Sequence, residues 1–351
     1  MAQTDAQVTM EFGLNSFGDI TPDTEGKAQS AAQVIREVVE EAVLADSVGI
    51  DAIGLGEHHR DDYAISSPDM VLAAIASRTE KIKLGTAVTV LSSDDPLRVY
   101  ERFATLDAVS NGRAEVVVGR GSFTESFPLF GYKLSDYNTL FEEKFEIFAE
   151  ALKERPIRWS GSHRAPIEGA ILTPRTENGL SAWVGVGGSP ESVIRSVQRG
   201  IPMMLAIIGG NPARFRPFVD LYERAQKEFG VKEPMRLGMH SPGHIAETDE
   251  KAREELWKPF LENRSRIGRE RGWADPTYES YIDEIENGAL FVGSPETVAQ
   301  KMFEAIQDLG VDRFDFKYAN GPMPHEQMMN SIDLYGTKVV PRVREMILRA
   351  S

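Results

Sequence analysis

Two rhythms of apolar residues alternate along the chain. Short runs rich in Val and Ile read as strands, and most are followed by a longer stretch whose apolar positions recur every three or four residues, the helical period. The first strand is predicted at 8–14 and the first helix at 31–48, where Val34, Ile35, Val38, Val39, Ala42 and Val43 share one face. The unit repeats at 52–55 with 68–77, at 82–90 with 96–109, and at 114–118 with 140–152. It continues at 182–186 with 190–198 and at 203–207 with 212–229. Strands at 236–239 and 313–318 and a last helix around 325–348 complete the pattern. Prolines 68, 96, 190, 212 and 295 open helices, and glycines 49, 112, 200, 230 and 310 close them.

Alternating βα units predict a parallel sheet with right-handed crossovers, either open and doubly wound or closed into a barrel. Eight strands favour closure, and a (β/α)₈ TIM barrel takes about 250 residues. Two segments hold the surplus. Residues 155–175 lack a helical period and read as a small hairpin, and 241–293 carry polar helices, including 249–267, that interrupt the last units. The expectation is one α/β domain over 7–350.

Composition removes several kinds of function. With 39 Lys+Arg against 54 Asp+Glu the chain carries −15, which argues against a nucleic-acid partner. It has no cysteine, so disulfides, thiolate metal sites and cysteine nucleophiles are excluded. No apolar run approaches the roughly 18–20 residues that span a bilayer. Residues 1–10 show no secretory signal, so a cytoplasmic location without a membrane partner is expected.

In a parallel barrel the chemistry sits at the carboxyl ends of the strands. The second strand runs into Glu57-His58-His59, and imidazoles there could move protons or merely satisfy a loop. Adjacent histidines on extended chain point to opposite faces, so a shared metal is not expected. The fourth strand ends Gly119-Arg120-Gly121, where glycines admit a ligand and a guanidinium reaches it, or where a turn holds a paired arginine. The fifth ends Gly187-Gly188-Ser189, with Ser192 one turn on, and opens a helix. Such a start suits a phosphate or serves as a plain cap, as Gly293-Ser294-Pro295 would; Arg120 nearby favours the phosphate. Asn15, Phe17, Phe123, His240 and Tyr318 are candidates to line a substrate pocket. His244 is placed after the seventh strand with His240, and His163 and His325 are expected to be solvated.

Taken in order, these pieces resemble the bacterial-luciferase-like flavin-dependent monooxygenases. The resemblance is carried by Met10-Glu11-Phe12-Gly13, Glu57-His58-His59, Leu84-Gly85-Thr86-Ala87-Val88-Thr89-Val90-Leu91 and Asp95-Pro96-Leu97-Arg98. It continues through Leu106-Asp107-Ala108-Val109-Ser110-Asn111-Gly112-Arg113, Gly119-Arg120-Gly121, Gly187-Gly188-Ser189 and Gly200-Ile201-Pro202-Met203. It implies a closed barrel, reduced FMN from a separate flavin reductase, O₂, and a small organic substrate oxidised by way of a flavin hydroperoxide. It puts Arg120, Gly188 and Ser189 at the flavin phosphate with Gly187 and Ser192 beside them. Ala87-Val88 falls at a cis peptide under the ring, and His58 becomes the proton-handling group with Glu57 and His59 in support. Gly119 stands where the light-emitting members carry cysteine, so light emission is not implied. Some relatives use the deazaflavin F420 for hydride transfer, and others bind flavin without turnover. A homodimer is the implied assembly, with no metal required.

Overall fold

The computed structural model describes residues 10–23 and 25–350. Strand β1 (Glu11–Ser16) leads to helix α1 (Ala31–Ser47), capped where Ser30 Oγ accepts from the Gln33 N–H. The predicted start of that strand at Val8 lies outside the described residues. Next come β2 (Ala52–Leu55), α2 (Pro68–Ala76), β3 (Lys83–Thr86), β4 (Thr89–Val90) and α3 (Pro96–Val109). β5 (Glu115–Gly119), the short α4 (Ser126–Leu129) and α5 (Tyr137–Ala151) follow. β6 (Ile157–Trp159) and β7 (Ile167–Ala170) pair antiparallel, the hairpin expected within 155–175. The second half holds β8 (Ser181–Val186), α6 (Pro190–Arg199), β9 (Met203–Ala206), α7 (Arg216–Glu228), β10 (Leu237–Ile245), α8 (Asp249–Arg271) and α9 (Tyr278–Glu286). It closes with β11 (Phe291–Gly293), α10 (Pro295–Leu309), β12 (Arg313–Lys317), α11 (His325–Leu334) and α12 (Val340–Ala350).

The parallel strands run in the order β3-β2-β1-β12-β10-β9-β8-β5-β4. β3 and β4 are two halves of the predicted third strand, parted by Ala87 and Val88, whose peptide bond is cis. A bridge from Leu84 to Ala114 joins β3 to the chain entering β5, so the TIM barrel is nearly closed. No helix among the described residues is long and apolar enough to cross a membrane.

Period-two alternation sorts the strand residues between two layers. Phe12, Leu14, Val116, Val118, Val184, Phe314 and Phe316 belong to the main core that the surrounding helices cover. Their neighbours Val117, Trp183 and Met204 pack separately, with Val88, inside the barrel.

The interior is not all apolar. On β12, Arg313, Asp315 and Lys317 alternate inward. Arg313 Nε donates to Asp315 Oδ1 at 2.6 Å, and its Nη1 donates across the barrel to Glu115 Oε1 on β5 at 2.5 Å. Burial works against that charge, but the two carboxylates outweigh it and hold the guanidinium pKa above its ordinary value. Room for the carboxylates comes from glycines. A Cβ on Gly13 would collide with Asp315 Oδ1, and one on Gly85 would sit 2.9 Å from Glu115 Cγ.

Four expectations need correction. The seventh strand extends from the predicted 239 to Ile245, because Gly243–Ile245 pair with β11, a three-residue strand too short to show a period. Residues 241–293 therefore include sheet as well as helices. Helix 212–229 begins with a 3₁₀ turn, Pro212–Phe215. The last helix is broken by a π turn at Tyr335–Val339, where Gly336 packs so closely on Val48 that a Cβ would overlap it.

Replacing Arg313 by Met leaves Glu115 and Asp315 buried without their cation. The expected loss is about 3–5 kcal/mol of unfolding free energy, read from urea denaturation. A loss below about 1 kcal/mol would contradict a structural ion bridge.

Candidate functional site

A cavity of about 490 Å³ opens at the carboxyl ends of the strands. Its base is formed where β3 breaks into β4. Val88 turns inward against two glycines: a Cβ on Gly119 would lie 2.8 Å from Val88 Cγ2, and one on Gly185 would lie 3.2 Å from Cγ1. The cis unit is pinned by backbone bonds from Ala87 N–H to Leu55 O at 2.9 Å and from Glu57 N–H to Val88 O at 3.2 Å. Glu57 secures the next step, because its Oε2 accepts from the Val90 N–H at 2.8 Å. Its Oε1 lies 2.9 Å from His59 Nε2. Both oxygens of Glu57 are thus engaged, and it braces the cavity base with His59, which also lines the cavity, beside it.

His58 faces the cavity within an aromatic box. Tyr63 stacks on it at 4.4 Å between ring centroids, and Phe17 and Phe123 meet it edge-on at 4.7 and 5.3 Å. Burial, helped by the positive charges of Lys317 and Arg60, pushes its pKa down to about 3, so the ring is neutral. Its Nε2 is buried and has no hydrogen-bond partner in the protein. His240, on β10, also lines the cavity, and burial pushes it down to about 3. Asn15 Nδ2 lies 2.7 Å from His240 Nδ1 and can only donate, so the neutral ring carries its proton on Nε2. Phe17 lies parallel to this ring, 6.3 Å away.

Arg120 and Gly187 line the cavity as well. Arg120 Nη2 donates to Ser192 Oγ at 3.3 Å, and Arg195 Nη1 donates to the same oxygen at 3.4 Å. Gly188 adopts φ +110°, open to glycine and strained for other residues. Ser189 caps α6 by accepting from the Ser192 N–H, while its hydroxyl donates to Glu191 Oε2 at 2.7 Å. Two guanidinium groups, two hydroxyls and a helix N-terminus therefore converge beside the cavity. This combination suits a phosphate once Glu191 swings aside from Ser189.

Of the predicted pocket residues, Asn15, Phe17, Phe123 and His240 are at the cavity. Tyr318 is not. It follows β12, is fully buried, and its hydroxyl donates to Glu41 Oε2 at 2.6 Å, facing α1 because the strand ends at Lys317 and the chain turns outward. His325 is not solvated as expected but sits 2.9 Å from Glu41 Oε1, and that hydrogen bond raises its pKa despite partial burial. His244 lies within β10 and meets Glu255 of α8 at 2.7 Å, away from the cavity. His163 is exposed, as predicted.

Other cavity residues went unpredicted. Lys317 and Asp315 carry a visible sign, namely charges at alternate positions of the strand Arg313-Phe314-Asp315-Phe316-Lys317. Tyr63 and the α8 residues Asn263, Arg264 and Arg271 give no comparable sign, since they lie away from any strand end.

The luciferase-like monooxygenase family profile matches residues 10–313. The chain is 33% identical to the uncharacterized protein y4wF of Sinorhizobium fredii, over 92% of this chain and 95% of that one. It is 27% identical to limonene 1,2-monooxygenase of Rhodococcus erythropolis, over 82% of this chain and 76% of that one. Among solved structures, monooxygenase RslO1 of Streptomyces bottropensis superposes with a TM-score of 0.80 at 24% identity, covering 95% of this chain and 99% of its own. The FMN complex of the oxygenating constituent of 3,6-diketocamphane monooxygenase of Pseudomonas putida gives 0.77 at 20%, with the same coverage. The coenzyme F420-dependent tetrahydromethanopterin reductase of Methanopyrus kandleri gives 0.70 at 20% identity, again over 95% and 99%. At these identities the structures speak for the fold. The profile match over most of its length establishes that the chain belongs to the luciferase-like monooxygenase family.

Proposed function

We propose that the chain is an FMN-dependent monooxygenase, taking reduced FMN from a separate reductase and using O₂ to oxidise a small organic substrate. In this reading residues 7–350 act as one catalytic domain, as a homodimer in the cytoplasm. The observation that carries it is one cavity lined both by Arg120, beside the Ser189–Ser192 turn, and by a neutral imidazole with an unpartnered Nε2. The residues fit the cofactor. The Val88 side chain, packed against Gly119 and Gly185, offers an apolar surface for a flat ring, and the Arg120 cluster suits its phosphate.

When bound, reduced flavin supplies the electron pair that activates O₂. The protein's part is binding, orientation and proton placement. Arg120, Ser192 and the start of α6 hold the phosphate. Glu57 fixes the chain at Val90 and so holds Val88 in place. Phe17, Tyr63 and Phe123 exclude water around His58. Burial keeps His58 neutral at ordinary pH, so it can hold a proton only in passing, as a hydrogen-bonding imidazole beside the flavin.

Titration with reduced FMN tests the assignment. Arg120→Ala is expected to weaken binding by about 1.5–3 kcal/mol, the worth of a charged hydrogen bond. Unchanged affinity, or tight F420 binding without FMN binding, overturns it. His58→Asn should keep reduced-FMN affinity while turnover falls by about 10²–10⁴; full turnover would remove His58 from the chemistry. The two depressed histidines also set a pH signature. The unfolded chain gains their protons below about 6.5, whereas the folded chain resists until about 3. Stability is therefore complete above pH 6.5 and falls toward pH 3, by at most about 1.4 kcal/mol per pH unit for each ring. A His58→Phe variant should show a shallower acid limb in urea unfolding, and an unchanged limb would contradict a buried neutral imidazole.

A further inference from the structure

On the flavin reading above, we propose that the cavity takes an organic substrate with an apolar body and one anionic head group, held by Arg264 with Arg271 in support. The argument is a charge balance. Three carboxylates line the cavity, and each is already engaged: Glu57 with His59 and the Val90 N–H, Glu125 with Arg60, and Asp315 with Arg313. Lys317 is also spent. It donates to the Ala319 carbonyl and lies 3.6 Å from Asp19 Oδ2. Arg120 belongs to the phosphate cluster.

Arg264 and Arg271 remain. Arg264 Nη2 donates to the Ile208 carbonyl at 2.9 Å, and Arg271 Nη2 donates to the Ser122 carbonyl at 3.0 Å. Among the described residues neither makes an ion pair with a carboxylate. Glu284 acts on Arg264 only at longer range, since its Oε1 accepts from the Gly210 and Ala289 N–H groups at 2.8 and 2.9 Å. Two cations whose hydrogen bonds go to backbone carbonyls thus line the cavity of a chain that carries −15 overall. The contrast with Arg60 is local. That arginine meets Asp62, Glu125 and Glu270.

Arg264 is the stronger of the pair because it is half-buried, whereas Arg271 is exposed. Burial lowers the Arg264 pKa from its ordinary value, although a guanidinium stays charged. A charge in that setting gains most from an anion brought to it. Phe260 lies 5.5 Å from the Arg264 guanidinium, and Phe123 and Trp273 lie 5.4 and 5.1 Å from that of Arg271. Both heads therefore sit on aromatic faces that would also pack an apolar body.

The test is calorimetric titration of the full chain, with and without FMN, using phenylacetate, decanoate and cyclohexanecarboxylate, each against its neutral amide. At least one acid is expected to bind about tenfold more tightly than its amide. Arg264→Gln should remove that preference without changing amide or FMN affinity, and Arg271→Gln should reduce it by a smaller factor. Equal binding of every acid and its amide, binding of no acid, or parallel weakening of acid and amide in Arg264→Gln overturns the proposal. Failure of reduced FMN to bind sinks the flavin reading instead, and leaves the comparison of acid with amide intact in the unloaded protein. Should Arg264→Gln not fold, the exposed Arg271→Gln decides by the same comparison.

Discussion

Arg313 reaches from β12 across the inside of the barrel to Glu115 on β5, holding Asp315 on the way. Such a bridge settles how the interior is divided. It occupies the amino-terminal end of the strands with charge that must stay paired, since an isolated ion there would cost several kcal/mol. Trp183, its ring 5.7 Å from the Arg313 guanidinium, packs with Val117 and Met204 above it. The free volume is left at the carboxyl end. The glycines of β1 and β3 follow from the same requirement, because the carboxylates occupy the space where their Cβ atoms would stand.

Much of this was readable in the sequence, for a physical reason. Strands buried on both faces and helices buried on one leave distinct periods, so the βα order and the helices at Ala31–Ser47 and Pro96–Val109 emerge almost residue for residue. Residues placed just past strand ends, such as His58 and Arg120, were readable because a barrel delivers every strand end to one rim. What stayed hidden depends on contacts distant in sequence. Three-residue β11 has no period to show. The burial of Tyr318 and His325 rests on Glu41, which is 277 and 284 positions away. Arg264 and Arg271 project from an inserted helix whose docking over the rim no local pattern announces.

The rim itself is a division of labour among similar side chains. Glu57 has one oxygen committed to the Val90 N–H and the other to His59, so it braces the chain beside His58. His58 and His240 are both neutral, yet the buried Nε2 of His58 has no partner in the protein, whereas the Nδ1 of His240 is held by Asn15. Identical residue types are separated by what already occupies their hydrogen-bonding atoms, not by their distance from the cavity.

The contact of Val88 with Gly119 has a consequence for how such a site can diverge. A side chain at 119 would meet Val88 Cγ2 at 2.8 Å, so none fits beside this valine unless the valine moves. Positions 88 and 119 therefore form an epistatic pair. A lineage that gains a side chain at 119 must first or simultaneously shrink or shift the residue at 88, and the order of those two changes is constrained by packing before any chemistry is selected.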